Sequence, residues 1–204
     1  MNIISHRGYW CAPVEKNTRV AFERTIAKQF GTETDVRDQG GRLVVSHDPP
    51  TGTAMGWADI VNAFDGTGLP LAVNVKADGL TALLEEAFAG RAIDWFAFDM
   101  SGPEMVRFRR AGLPFYTRHS DVEPNPILYP DALGVWIDAF ESQWFDRETV
   151  KAHLKQGKRI CIVSPELHGH DPTSLWQMIA PLSGQSQITL CTDMPDQAKN
   201  FFGL

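Results

Sequence analysis

The sequence has few cysteines, no long apolar run and no surplus of basic residues. Three cysteines occur among 204 residues, at Cys11, Cys161 and Cys191, with no short spacing between any two. This pattern argues against a disulfide framework and a CxxC metal site, and it favours a reducing compartment. No apolar run approaches the roughly 18 residues of a membrane-spanning helix. The opening residues MNIIS have no basic or long apolar region, so we expect a cytoplasmic protein with no secretory signal and no stable membrane insertion.

The charge balance narrows the class of partner. The chain has 25 acidic and 19 basic side chains and a formal net charge of −6. This balance argues against broad binding to nucleic acid or to anionic membranes, because both need a basic surface. It leaves room for a small anionic substrate held in a local basic pocket. A length of 204 residues suits one domain, and we predict a single domain over residues 1–204.

Short β-rich runs alternate along the chain with helical or loop segments. Start and stop signals predict four helices after these runs. The first begins at a cap at Asn17 or Thr18 and ends at Gly31. The others run from Pro103 to Gly112, from Asp146 to Gly157, and from about residue 193 to Phe202. The nine β-rich runs are Asn2–Ser5, Thr32–Val36, Leu43–Ser46, Leu71–Val75, Trp95–Asp99, Pro114–Thr117, Gly134–Asp138, Arg159–Val163 and Gln187–Cys191.

This alternation predicts an α/β fold with parallel strands and right-handed crossovers. An open doubly wound sheet and a closed (β/α)8 TIM barrel both fit the alternation, and the number of units favours the barrel. A barrel has eight strand positions, so one of the nine runs is surplus. Only a short segment containing Gly40 and Gly41 separates Val36 from Leu43. We therefore predict a turn there instead of a crossover helix.

Polar side chains end nearly every run, and the strand ends of a barrel converge on one mouth that carries the active site. Polar residues also mark where any buried strand reaches the surface, and this is the alternative interpretation. The residues at the strand ends are His6, Arg7, Glu33, Asp35, His47, Asp48, Asn74, Lys76, Asp99, Arg118, His119, Asp138, Glu166 and Asp193.

Two carboxylates stand at alternate positions of one predicted strand. Glu33 and Asp35 therefore point to the same face. They repel each other unless a cation or a proton lies between them, and their oxygens suit Mg²⁺ or Ca²⁺. A solvated face of an edge strand is the alternative, although the neighbouring valines favour burial.

Two histidines also end apolar runs. His6 and His47 facing one site have the chemistry of a general acid and a general base near neutral pH. Arg7 has a planar set of donors suited to a phosphate oxygen.

These residues, in this order and spacing, resemble the glycerophosphodiester phosphodiesterase family, within the phospholipase-C-like phosphodiesterases. The strong match covers about the first quarter of the chain. It implies a (β/α)8 barrel that hydrolyses a phosphodiester with a divalent cation, Mg²⁺ or Ca²⁺. By position, it implies that His6 and His47 are the acid/base pair, Arg7 contacts phosphate, and Glu33 and Asp35 bind the metal. The matching segments are His6-Arg7-Gly8, Asn17-Thr18 with Ala21-Phe22, Glu33-Thr34-Asp35-Val36, Val44-Val45-Ser46-His47-Asp48 and, more weakly, Thr192-Asp193-Met194-Pro195.

Three departures from the family pattern bear on the substrate alcohol more than on the phosphodiester chemistry. The Glu-Ile-Lys motif becomes Asn74-Val75-Lys76, so an amide replaces the third carboxylate ligand while the lysine is kept. The Pro-Glu-Asn motif becomes Glu15-Lys16-Asn17, which reverses a charge. The connection from Asp48 to Leu71 is short, and this predicts a compact barrel without the usual family insertion.

Later strand ends supply further candidates. Glu166 is a candidate replacement ligand or a contact for a substrate hydroxyl, and Lys76 and Arg118 are candidate phosphate contacts. We interpret His168 and His170 as residues of a solvated loop.

The leading hypothesis is metal-dependent hydrolysis of a small phosphodiester, possibly a glycerophosphodiester. The second is a barrel that binds a phosphorylated ligand without turnover, suggested by Lys16 and Asn74. The third is a metal-dependent barrel hydrolase with a non-phosphate substrate, and Arg7 argues against it.

Overall fold

The structure is a computed structural model and describes residues 1–204. No helix is both long and apolar enough to cross a bilayer. The strands are β1 (Asn2–His6), β2 (Gly31–Gln39), β3 (Arg42–Val45), β4 (Met55–Gly56), β5 (Leu71–Val75), β6 (Trp95–Phe98), β7 (Tyr116–His119), β8 (Gly134–Ile137), β9 (Arg159–Val163) and β10 (Ile188–Thr192). The α-helices are α1 (Arg19–Ala27), α2 (Trp57–Phe64), α3 (Thr81–Phe88), α4 (Gly102–Ala111), α5 (Arg147–Lys155), α6 (Thr173–Ile179) and α7 (Pro195–Phe202).

The strand order is that of the (β/α)8 class. The sheet runs β4-β3-β2-β1-β10-β9-β8-β7, and β5 pairs with both β2 and β6. The pairs β2–β5, β5–β6, β7–β8, β8–β9 and β9–β10 are parallel. One parallel bridge joins Ala97 of β6 to Phe115, the residue before β7. The surplus run of the sequence is β3, which pairs antiparallel with β2.

The chain divides into two compact units. The first covers Ser5–Phe115, and the second covers Met1–Ile4 with Tyr116–Leu204. The single domain expected from the chain length stays a prediction.

In the first unit, apolar residues at strand and helix period build the core. All five residues of β5 are buried, as expected for a strand covered on both faces. The buried residues of α2 are Trp57, Ile60, Val61 and Phe64, which follow helical spacing. Gly40 and Gly41, both at positive φ, form the turn between β2 and β3, so the predicted turn is confirmed.

In the second unit, α5 begins where the sequence predicts, because the Asp146 side chain accepts a hydrogen bond from the Thr149 N–H at 2.9 Å. The connection from β7 to β8 has no helix. Its residues include Pro124, Pro126 and Pro130, and each proline lacks the N–H that a helix interior needs.

Some elements differ from the sequence-based expectations. The first helix ends at Ala27 before the predicted Gly31 stop, and Gln29 has φ of 60°. The sequence gives no local signal for α3, because the residues before this helix offer no side-chain cap. Its first N–H, that of Thr81, donates instead to the Glu104 carboxylate at 2.9 Å. This cap comes from a residue 23 positions away, so local pattern does not reveal it.

Candidate active site

The candidate site lies within the first unit, at the ends of β1 and β5 and in the middle of β2. His6 is the last residue of β1, and Glu33 and Asp35 lie within β2. Asn74 of β5 is the register partner of Asp35. The parallel pairing therefore places a side-chain amide and a carboxylate at neighbouring positions of adjacent strands.

The two carboxylates of β2 are buried. Glu33 is 2% exposed and Asp35 is fully buried, so the alternative of a solvated strand face is wrong. Burial, and then the negative charge of Asp35, raises the pKa of Glu33 well above its usual value. The positive charges of Arg7 and Lys76 oppose that shift. The pair therefore has the electrostatics of a site that takes up a cation or a proton.

Asp35 is surrounded by positive and amide groups. Arg7 Nε lies 3.0 Å from Asp35 Oδ2 as an ion pair, and Asn17 Nδ2 donates to the same oxygen at 2.8 Å. Lys76 Nζ lies 3.6 Å from Asp35 Oδ1 and 3.9 Å from an oxygen of Asp99. Two of the three predicted phosphate contacts, Arg7 and Lys76, therefore lie against Asp35.

Two buried oxygens of the site accept no hydrogen bond. They are Asp35 Oδ1 and Asn74 Oδ1, and they belong to register partners. Buried polar atoms are nearly always satisfied, and leaving one without a partner costs about 1–3 kcal/mol. Lys76 compensates only in part, because its distance to Asp35 Oδ1 exceeds that of a hydrogen bond.

This donor set fits a hard cation. Carboxylate and amide oxygens are ligands of Ca²⁺ and Mg²⁺, and a cation would satisfy both oxygens that accept no hydrogen bond. Nowhere in the described chain are three or more His, Cys, Asp or Glu side chains grouped to hold a metal. Asn74 would therefore supply the third oxygen beside Glu33 and Asp35.

The two candidate acid/base histidines differ in exposure. His6 Nε2 lies 4.0 Å from Glu33 Oε2, and 15% of its side chain is exposed. The His47 side chain is 42% exposed, and its Nδ1 lies 2.9 Å from Asp48 Oδ1. This contact orients the ring and leaves Nε2 as the nitrogen for a ligand. His47 and Arg7 both line a cavity of about 570 Å³, so a candidate acid/base group and a guanidinium face one ligand space.

Asn17 connects the site to the following loop, a role that the sequence analysis missed. Its amide donates to Asp35 at 2.8 Å and accepts from the Thr34 hydroxyl at 2.9 Å. Its backbone N–H donates to the Arg7 carbonyl at 2.8 Å. Asn17 and Arg7 have φ of 59° and 58°, and asparagine tolerates this conformation better than most residues. Asn17 is therefore a positioning residue for Asp35.

Gly8 of the His-Arg-Gly motif has a structural role. Its φ is 85°, and an added Cβ would lie 2.7 Å from the Ala21 Cβ on α1. We expect Gly8→Ala to lower the free energy of unfolding by about 2–4 kcal/mol, from left-handed strain and overpacking. Chemical denaturation measures this loss. The control is Gly40→Ala, at φ of 59° with no atom within 4 Å of its Cβ. An equal loss of unfolding free energy in both variants would show that contact with Ala21 contributes nothing to the effect of Gly8→Ala.

The remaining candidates lie in the second unit and have partners there. Arg118 forms an ion pair with Glu123 at 3.1 Å. The Glu166 carboxylate accepts hydrogen bonds from the hydroxyls of Ser164 and Thr192 and from the Asp193 N–H. The roles of Arg118 in phosphate binding and Glu166 in metal binding stay predictions.

The segment with His168 and His170, in the second unit, agrees only in part with the predicted solvated loop. His168 Nε2 lies 2.7 Å from Asp138 Oδ1, and 25% of its side chain is exposed. His168 is therefore held by a buried carboxylate, whereas His170 is exposed as expected.

Comparison with known proteins supports the fold and leaves the family open. No family model matches the chain, and no curated protein matches it. A solved structure from Streptomyces antibioticus, described as a Ca²⁺-dependent phosphatidylinositol-specific phospholipase C, is similar with a TM-score of 0.58. The identity is 10%, over 98% of this chain and 96% of that one. This likeness shows that the chain has the α/β barrel fold of that enzyme.

Proposed function

We propose that this protein hydrolyses a small phosphodiester with the help of a divalent cation, at the site in its first unit. The observation that carries the proposal is the pair of buried oxygens of Asp35 and Asn74 that accept no hydrogen bond, beside the buried Glu33. The adjoining cavity is lined by Arg7 and His47, so it offers an anion contact and an acid/base group. The fold shared with a Ca²⁺-dependent phospholipase C supports this reaction class and makes Ca²⁺ the first cation to test.

Different side chains of the site would bind the cation and the phosphoryl oxygens. Glu33, Asp35 and Asn74 would hold the cation, which supplies positive charge against a phosphoryl oxygen. The Arg7 guanidinium, oriented by its Nε contact with Asp35, would bind a second phosphoryl oxygen through its outer donors. Positive charge held in place before the reaction stabilises the more negative transition state.

The histidines would move the protons. One of His6 and His47 removes a proton from the attacking hydroxyl, and the other protonates the departing alkoxide. When the nucleophile is water, the products are a phosphomonoester and an alcohol. When it is a neighbouring hydroxyl of the substrate, a cyclic phosphate forms first and is then opened by water. A glycerophosphodiester is the substrate that the sequence resemblance favours.

A panel of phosphodiesters tests the function. We expect turnover of at least one glycerophosphodiester, nucleotide-linked diester, lysophospholipid or bis(p-nitrophenyl) phosphate with Ca²⁺, Mg²⁺ or Mn²⁺. Chromatography and phosphorus NMR identify the products and any cyclic intermediate. Asp35→Asn, which removes one charge of the proposed metal site, is the matched inactive variant. Turnover that survives both EDTA and Asp35→Asn would contradict the cation's role.

A barrel that binds a phosphorylated ligand without turnover is the second candidate. The contact that favours it is the 3.6 Å approach of Lys76 Nζ to Asp35 Oδ1, because an ammonium there competes with a metal ion. Binding of a phosphorylated ligand by calorimetry, with no hydrolysis under any of the three cations, supports this candidate. Absence of both binding and hydrolysis contradicts both candidates.

A further inference from the structure

Asp99 is a carboxylate beside the proposed metal site that the proposed reaction does not use. It directly follows β6, and its backbone has φ of 65°, a left-handed conformation that few residues other than glycine adopt. Such conformations are concentrated at functional sites, where the surrounding structure maintains them. Asp99 Oδ2 lies 3.9 Å from Lys76 Nζ, so this carboxylate is connected to the site through the lysine.

The ammonium of Lys76 lies between two carboxylates. Its Nζ is 3.6 Å from Asp35 Oδ1 and 3.9 Å from Asp99 Oδ2, and both distances exceed that of a hydrogen bond. Neither acid therefore fixes the ammonium, and the flexible stem of the lysine allows it to approach either one. The side chains of Lys76 and Asp99 are only 21% and 17% exposed, so salt screens their attraction less than that of a surface pair.

The position of this ammonium bears directly on the binding of a cation. Asp35 Oδ1 and Asn74 Oδ1 are the two buried oxygens that accept no hydrogen bond, and Lys76 Nζ lies beside the first of them. A divalent cation at these oxygens repels a neighbouring ammonium, and the repulsion is stronger in a buried site than in water. Movement of the ammonium toward Asp99 lowers that repulsion while leaving the ammonium paired with an acid.

We propose that Asp99 is a positioning residue that holds the Lys76 ammonium away from Asp35 when a divalent cation binds. This inference rests on the proposed cation site and assigns the residue that clears it. Asp99 acts on the cation only through Lys76 and is not one of its ligands. Without a carboxylate at position 99, the acid that remains within 4 Å of the ammonium is Asp35, and the ammonium then competes with the cation.

Paired substitutions at Asp99 and Lys76 test this role through cation affinity, a measurement that needs no turnover. Asp99→Asn is expected to weaken the binding of Ca²⁺ about tenfold, measured by calorimetry and by terbium luminescence. In a Lys76→Met protein, which has no ammonium to hold, we expect the same substitution to change the affinity less than about threefold. Asparagine also tolerates a positive φ, so the backbone of this variant should remain as in the wild type.

Two further variants separate the carboxylate from the backbone and from net charge. Asp99→Gly keeps a residue that accepts positive φ but removes the carboxylate, and it should weaken binding as much as Asp99→Asn does. Asp94→Asn removes the same charge from an exposed residue just before β6, at the opposite end of that strand. We expect this control to retain the wild-type affinity. Melting temperatures measured without metal show whether each variant is folded.

The outcomes distinguish this inference from the proposed function. An equal loss of affinity from Asp99→Asn with and without Lys76 overturns the inference, because Asp99 then acts as a ligand or as a general negative charge. Binding of Ca²⁺ that appears only in Lys76→Met also overturns it, because the ammonium then keeps the site. The expected dependence on Lys76 without hydrolysis of any diester supports the inference and overturns only the proposed turnover. Hydrolysis and cation binding without that dependence overturn the inference alone. Absence of Ca²⁺, Mg²⁺ and Mn²⁺ binding in every protein overturns the inference together with the proposed cation.

Discussion

Replacement of His47 by alanine is expected to lower kcat on the best phosphodiester by about 10²–10⁴-fold, the contribution typical of a general acid or base. His47 lines the cavity with Arg7, and Asp48 holds its Nδ1 at 2.9 Å. Loss of the imidazole removes the proton transfer while Arg7 and the buried carboxylates remain. Steady-state kinetics with Ca²⁺ present measures the effect, which should fall on kcat more than on KM.

The fold of this variant should survive, which makes the experiment interpretable. The His47 side chain is 42% exposed, so its removal creates no buried cavity. The matched control is His170→Ala, which removes an exposed histidine of the second unit. We expect this control to retain wild-type kinetics and both variants to retain the wild-type melting temperature. Wild-type turnover by a folded His47→Ala protein would remove His47 from the acid/base pair.

His6 is a less direct probe of the same chemistry. It is the last residue of β1, and its Nε2 lies 4.0 Å from the buried Glu33 carboxylate. Its replacement therefore changes the charge balance around Glu33 as well as the proton transfer. For this reason the assignment of the acid/base pair is tested first at His47.

Strands and turns were predictable from the sequence where neighbouring residues alone determine them. The bounds of β5 and β9 agree with the apolar runs Leu71–Val75 and Arg159–Val163, because strands covered on both faces must be apolar. The turn between β2 and β3 was predictable because two adjacent glycines allow positive φ at both positions. The alternate spacing of Glu33 and Asp35 likewise placed both carboxylates on one face.

Features of the structure were not predictable where the hydrogen-bond partner is distant in the sequence. The start of α3 depends on Glu104, which accepts from the Thr81 N–H across 23 positions. Asn17 was predictable as a possible helix cap, but its contacts with Thr34 and Asp35 depend on how the loop returns to β2. The sequence Asn17-Thr18 is typical of a helix cap, and it does not indicate that the Asn17 side chain contacts β2. The pairing of His168 with Asp138, 30 positions apart, was hidden for the same reason.

The charge balance of the site explains why Asn74 is the informative position. Glu33 and Asp35 provide at most two negative charges, and Arg7 and Lys76 both lie close enough to oppose the raised pKa of Glu33. At the proposed metal site, a neutral amide at position 74 would therefore bind a divalent cation more weakly than a third carboxylate. Restoring that carboxylate is a direct test of whether Asn74 Oδ1 faces the cation.

Asn74→Asp is expected to raise the affinity for Ca²⁺ about tenfold, because a carboxylate replaces an amide of the same length beside two other acids. Asp35→Asn is expected to lower it by at least about tenfold. Terbium luminescence and calorimetry with Ca²⁺ measure both changes without requiring turnover. Glu85→Gln, on the exposed face of α3, controls for nonspecific loss of charge and should leave the affinity unchanged.

Thermal stability gives an independent measure of the same cation. A ligand that binds only the folded state stabilises it by RT ln(1 + [L]/Kd), about 2.7 kcal/mol at a hundredfold excess over Kd. Without metal, Asn74→Asp should melt below the wild type, because its new charge adds to the repulsion around Asp35. With saturating Ca²⁺ its melting temperature should rise more than that of the wild type. An equal rise in both proteins, with unchanged terbium affinity, would place the cation away from Asn74 and leave its buried oxygen without a role in metal binding.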